Sequence, residues 1–170
     1  SGDDPVADLV DTMMSGDHGW IDDMATVAPL AGADGRAAVE AVRAAGDRFD
    51  VDPDRVGVIG FSAGANVAIR TVYADDPAAR PDWVAPIYAT TAGLDLTDPP
   101  PGSGPMFLAV ATDDPLGLAR DSIALYERWR AANLPVELHA YARGGHGFGM
   151  RRQGLAADTW IDRFLDWIHA

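Results

Sequence analysis

The sequence predicts an α/β fold of three layers, with helices on both faces of a mostly parallel sheet. Three observations carry this reading. Met106-Phe107-Leu108-Ala109-Val110-Ala111 is an unbroken apolar run, which suits a strand covered on both faces, as the strands of parallel sheets are. Further short apolar runs at 56–59, 84–88 and 136–141 alternate with segments of helical period, the order that builds a strand-helix-strand sheet. Gly60-Phe61-Ser62-Ala63-Gly64 joins the first of those runs to a helix of small residues through a tight turn.

Near the start of the chain stands Asp4-Pro5, where Asp4 can cap a helix and Pro5 suits its first turn. Val6, Leu9, Val10, Met13 and Met14 then share one face, which predicts an amphipathic helix over 4–14. Residues 15–23 are polar and glycine-containing, the composition of a loop, and His18 within it is read as exposed and without a catalytic role. Val39, Val42 and Phe49 predict a helix over 30–49, ended by Gly46-Asp47. Asp52-Pro53-Asp54 turns the chain into the strand at 56–59, and a helix over 63–73 follows. Asp75-Asp76-Pro77 breaks that helix and is read as a solvated turn rather than a metal site. After the strand at 84–88, residues 89–105 are irregular and include Asp98-Pro99-Pro100-Pro101-Gly102. So long a segment either walls a substrate site or serves as rigid surface linkage. The strand at 106–111 ends at Thr112-Asp113-Asp114-Pro115, and Ser122, Leu125, Trp129 and Ala132 mark the next helix. Residues 136–141 alternate as a last strand, with His139 on its polar side beside Glu137 in a structural role. Arg143-Gly144-Gly145-His146-Gly147-Phe148-Gly149 sets one histidine among glycines, and Trp160, Phe164 and Trp167 form the core-facing stripe of a closing helix.

At 170 residues and 48% hydrophobic, the chain is long enough for a single domain, 1–170, with a sizeable core. It carries 26 acidic and 13 basic residues, every base an arginine, for a formal charge of −13. This argues against a nucleic-acid partner, since phosphate binding needs a basic face. Without cysteine, disulfides, thiolate metal sites and a cysteine nucleophile are excluded. No apolar run approaches the roughly 18 residues of a membrane span, and the first residues lack the regions of a signal peptide. No membrane partner is expected, and the compartment stays open.

The chemistry centres on Ser62. Gly60 and Gly64 are read as the small residues that let strand and helix approach without a Cβ clash. Ser62 then stands at a helix N-terminus, where the amide of Ala63 and the positive end of the dipole can hold a developing oxyanion. A serine hydroxyl is a poor nucleophile until an imidazole takes its proton, and the imidazole needs a buried carboxylate to fix its tautomer and stabilise its cation. Asp114 and His146, on loops after later strands, fill those roles in the chain order Ser, Asp, His.

The segments Asp52-Pro53-Asp54-Arg55-Val56-Gly57-Val58-Ile59-Gly60-Phe61-Ser62-Ala63-Gly64, Ala111-Thr112-Asp113-Asp114-Pro115-Leu116 and His139-Ala140-Tyr141-Ala142-Arg143-Gly144-Gly145-His146-Gly147-Phe148-Gly149 resemble α/β-hydrolase esterases of the acetylxylan and feruloyl esterase type. Pro29-Leu30-Ala31, with Asp34 and Ala37-Ala38, is similar to the helix that precedes the elbow strand in that family. The resemblance runs from about Pro29 to the C-terminus. It implies an α/β-hydrolase fold, catalytic Ser62, Asp114 and His146, an oxyanion donor at Ala63, and neither cofactor nor metal. It also implies hydrolysis of small acyl esters, with acetyl or feruloyl groups on carbohydrate as a natural substrate. Two departures accompany it. Pro115-Leu116-Gly117-Leu118 follows Asp114 where the family usually has an apolar pair and proline, which leaves Asp113 as the alternative carboxylate. The family's His-Gly-Gly-Gly segment and the strands around it have no counterpart ahead of Pro29, so the fold is expected to be N-terminally incomplete. His18-Gly19-Trp20 is only an echo of that segment, as a source of the second oxyanion amide. The elbow strand is then expected at a sheet edge, completed by a second chain or another copy. Two other function classes stay open: a non-catalytic relic or binding module without a complete oxyanion hole, and a serine peptidase of the same fold.

Overall fold

The computed structural model describes Ser15 and residues 19–170. The four apolar runs become β1 (Gly57–Phe61), β2 (Trp83–Ile87), β3 (Met106–Ala111) and β4 (Val136–Tyr141), paired in the order β1-β2-β3-β4. All three pairings are parallel, with Gly57 opposite Trp83, Val84 opposite Met106, and Met106 also opposite Val136. Parallel neighbours require crossover connections. Helix α3 (Ala63–Val72) links β1 to β2, and α4 (Ala119–Ala131) links β3 to β4. Helix α1 (Gly19–Ala44) and the single turn α2 (Gly46–Phe49) precede β1, and α5 (Trp160–Ile168) closes the chain.

Side chains alternate across a strand, so the sheet divides the core in two. Val84, Met106 and Leu108 pack with Ala65, Ala68, Ile69 and Val72 of α3 and with Leu125 and Trp129 of α4. On the other side Ala85, Ile87, Phe107, Ala109 and Ala111 pack with Trp160 and Phe164 of α5. The sheet is therefore the middle of three layers, and every residue of β3 is buried. Each large side chain buried in this way contributes roughly 1.5–3 kcal/mol. The closing stripe faces the core as expected, with Trp160 and Phe164 buried and Trp167 packed beside them.

Helix α1 differs from the sequence reading. Residues 19–23, expected in a loop, form its start, and the helix continues through Pro29 for 26 residues. The stretch expected as one helix to residue 49 instead ends at Ala44, and α2 is a separate turn. The reason lies in how α1 packs. Gly32 and Gly35 bring it against α3 so closely that an added Cβ would lie 3.1 Å from the Cβ of Arg70 and 2.9 Å from the Cγ2 of Thr71. Contact made by missing side chains leaves no apolar periodicity to read. Val42, expected on the buried face, is 39% exposed. Arg43 anchors the end of α1 by donating to the carbonyls of Pro53 and Arg80 and pairing with Asp82.

The expected helix at 4–14 and His18 lie outside the described residues. The Asp75-Asp76-Pro77 break is a turn, as read, with Asp76 accepting from the amide of Ala78 at 2.9 Å. His139 pairs with Glu137 at 2.6 Å and contacts the rings of Phe107 and Tyr141, a structural placement. Among the described residues β1 pairs only with β2, so it is an edge strand, with Ile59 and Phe61 exposed. No described helix is long and apolar enough to cross a membrane.

Candidate active site

The carboxyl ends of parallel strands gather Ser62, Asp114 and His146 into one place. Ser62 follows β1 directly, Asp114 follows β3, and His146 follows β4. This is the edge at which open α/β sheets bind their ligands.

Ser62 turns the chain from strand to helix at φ 53° and ψ −118°, a conformation that costs an L-residue on the order of 1–3 kcal/mol. Hydrogen bonds over-determine it. Its amide donates to the carbonyl of Ile87 at 3.1 Å, and its carbonyl accepts from the amides of Ala65 at 3.0 Å and Asn66 at 3.3 Å. The Asn66 side chain is buried and donates to the carbonyls of Thr90 and Ala92, both at 3.0 Å. The two flanking glycines differ. At Gly60 an added Cβ would fall 2.2 Å from the carbonyl oxygen of Gly64, whereas at Gly64 it would meet nothing within 4 Å among the described residues. Among the described residues, close approach requires a glycine at position 60 and not at 64, which corrects the expectation for Gly64.

Ser62 Oγ lies 2.9 Å from His146 Nε2, and His146 Nδ1 lies 2.9 Å from Asp114 Oδ2. The Asp114 side chain is fully buried and that of His146 nearly so. A carboxylate only accepts, so Nδ1 carries the ring proton and donates it in a hydrogen bond to Asp114, and Nε2 is left to accept from the Ser62 hydroxyl. The amide of Leu116 donates to Asp114 Oδ1 at 2.9 Å and fixes the carboxyl plane. Asp113 does not reach the imidazole in this arrangement. Its Oδ1 accepts from the amides of Gly144 at 2.9 Å and Gly145 at 2.7 Å. Ala63 is the first residue of α3, a position whose amide has no carbonyl one turn back within the helix to bond. Gly19 and Trp20, the described part of the oxyanion echo, lie at the start of α1.

With this geometry in place, a family model described as Dienelactone hydrolase family matches residues 22–169. The chain belongs to the dienelactone hydrolase family. Solved structures share its fold. An acetyl ester-xyloside bifunctional hydrolase from Caldicellulosiruptor lactoaceticus is 24% identical, with a TM-score of 0.70 over 81% of this chain and 64% of that one. An alpha/beta hydrolase enzyme from a Medee basin deep-sea metagenome library is also 24% identical, with a TM-score of 0.70 over 81% of this chain and 62% of its own. A sugar hydrolase from Lactococcus lactis is 18% identical, with a TM-score of 0.72 over 84% of this chain and 69% of its own. The fold is that of the α/β hydrolases. This dienelactone hydrolase family chain spans 64% and 62% of the first two structures' lengths. No curated protein matches it.

Two features of this family member escaped sequence reasoning. Tyr88, just past β2, is buried with φ 38° and sets its ring edge-on to His146, centroids 5.2 Å apart, and to Phe148, 4.8 Å apart. Burial raises its phenol pKa, partly offset by a hydrogen bond from the Gly149 amide. Its position at a strand's carboxyl end was the available signal. The second is the tethering of the irregular segment 89–105. Arg70 donates to the carbonyl of Gly93 at 2.7 Å, Tyr73 to that of Thr97 at 3.1 Å, and Asp121 accepts from the amide of Thr91 at 2.9 Å. Of the two readings of this segment, rigid linkage along α3 and α4 has these bonds behind it.

Proposed function

We propose that this chain carries the catalytic residues of a serine esterase acting on small acyl esters, with acetyl and feruloyl esters of carbohydrate as its natural substrate class. The observation that carries the reading is the pair of 2.9 Å contacts running from Ser62 Oγ through His146 to the buried carboxylate of Asp114. Ser62 attacks the ester carbonyl as His146 Nε2 takes its proton, and Asp114 stabilises the imidazolium that forms. The Ala63 amide and the N-terminus of α3 stabilise the oxyanion. His146 returns the proton to the departing alcohol, leaving acyl-Ser62. Water then gives a proton to His146 and attacks the acyl carbon, and His146 returns that proton to Ser62 Oγ as the acyl-oxygen bond breaks, which frees the acid and restores the serine. Relatives of the same fold named as an acetyl ester-xyloside hydrolase and a sugar hydrolase support the carbohydrate side of the reading.

The test is covalent labelling with a fluorophosphonate, followed by peptide mass mapping, alongside turnover of a short-chain aryl acetate, its anilide and an acetylated xylo-oligosaccharide. Label on Ser62 with ester turnover is expected. An unlabelled Ser62 would favour a non-catalytic relic, and amide turnover exceeding ester turnover would favour a peptidase.

A further inference from the structure

We propose that Asp113 is a positioning residue for His146, its carboxylate clamping the backbone that brings the imidazole to Ser62. The inference rests on the esterase reading above. Asp113 is held at the end of β3 by the neighbouring strand, since the amide of Thr112 donates to the carbonyl of Tyr141 at 2.7 Å. From there a single oxygen, Oδ1, accepts the successive amides of Gly144 and Gly145 at 2.9 and 2.7 Å. Two consecutive amides converging on one anion form a backbone nest.

The loop they open needs such restraint. Gly145, Gly147 and Gly149 all have positive φ, at 67°, 71° and 46°, and glycine loses more conformational freedom on ordering than any other residue. Gly144 is wedged where an added Cβ would meet those of Ala111 at 3.0 Å and Ala157 at 3.1 Å. Gln153 Nε2 donates to the carbonyl of Gly144 at 3.1 Å, and Trp160 Nε1 to that of Gly149 at 2.7 Å. Asp113 adds the restraint on the amide side, immediately before His146. The adjacent acids thus divide the work between them, Asp114 holding the ring and Asp113 the chain that carries the ring. What Asp113 supplies is an acceptor oxygen, which the amide of asparagine also has.

The experiment compares kcat and KM for a short-chain aryl ester among wild type, Asp113→Ala and Asp113→Asn, with exchange of the Gly144 and Gly145 amides followed by NMR. Asp113 is exposed, so the alanine variant is expected to fold. It should lose kcat on the order of 10²-fold with KM little changed, the effect of misplacing a reacting group by about 1 Å. Both glycine amides should exchange faster. Asp113→Asn should keep most of the wild-type kcat and the slow exchange. An active wild type whose alanine variant keeps full kcat, or whose asparagine variant is as damaged as alanine, overturns the positioning role alone. A wild type that neither turns over the ester nor takes the fluorophosphonate overturns the esterase reading, and the positioning role with it.

Discussion

His146 Nε2 stands 2.9 Å from Ser62 Oγ across 84 residues of chain. That contact depends on the register of four parallel strands, because Ser62 follows β1 at one side of the sheet and His146 follows β4 at the other.

Ser62→Ala removes the hydroxyl while leaving the elbow backbone in place. Turnover of a short-chain aryl ester should fall by on the order of 10⁴-fold or more. Wild-type rates in that variant, measured on protein free of host esterases, would place the nucleophile elsewhere.

Asp114→Asn removes the buried negative charge facing His146 Nδ1. A loss of kcat on the order of 10⁴-fold is expected. Asp113→Asn retains an acceptor for Gly144 and Gly145 and should be far milder. Parallel kinetics on the two variants check this, and equal damage would contradict the separate roles given to the two acids.

Gly60→Ala drives a Cβ to 2.2 Å from the carbonyl oxygen of Gly64, which is backbone and cannot rotate away. A destabilisation above about 4 kcal/mol is expected, in the range reserved for severe packing faults. Gly64→Ala meets no atom within 4 Å among the described residues and lies in α3, so it should stabilise by roughly 0.5–1 kcal/mol through helix propensity. Denaturant midpoints of the two variants moving in the same direction would refute the asymmetry.

Asp158 carries a lowered carboxyl pKa, first because the Gln153 amide donates to it, and further through the amides of Gly154 and Leu155 and the charge of Arg152. A folded pKa below the unfolded one contributes stability that is fully present above the unfolded value, about 3.9, and is lost as pH falls through the folded value. Asp158→Ala should therefore lower the thermal midpoint at neutral pH, and its difference from wild type should shrink as the solution is acidified below that range. A difference that stays constant into acid would assign the effect to something other than this carboxylate.

The sheet was legible in the sequence because parallel strands are covered on both faces and so read as apolar runs; 106–111 matches β3 residue for residue. The elbow was legible for a related reason: a turn this tight leaves little choice at Gly60, and Ser62 stands between the two elements it joins. Helix α1 was not, since it meets α3 through Gly32 and Gly35 rather than through large side chains. The choice between Asp113 and Asp114 also lay beyond the letters. Adjacent residues past a strand point in different directions, and only the folded loop shows that one meets an imidazole and the other two amides. Tyr88 went unremarked because its backbone conformation, not its type or spacing, brings its ring to His146.

Among the described residues no strand pairs with the side of β1 that faces away from β2, and that margin has a consequence in symmetry. Two copies meeting there about a two-fold axis would run their β1 strands antiparallel and join two four-stranded sheets into one, and the assembly would stop at two, since each copy has spent the same margin. A copy adding its β4 to another's β1 would instead extend an all-parallel ribbon, with a fresh margin exposed at every step. The first arrangement has a fixed mass at every concentration above its dissociation constant, and the second grows with concentration. The direction of a single strand thus separates a closed pair from a fibre.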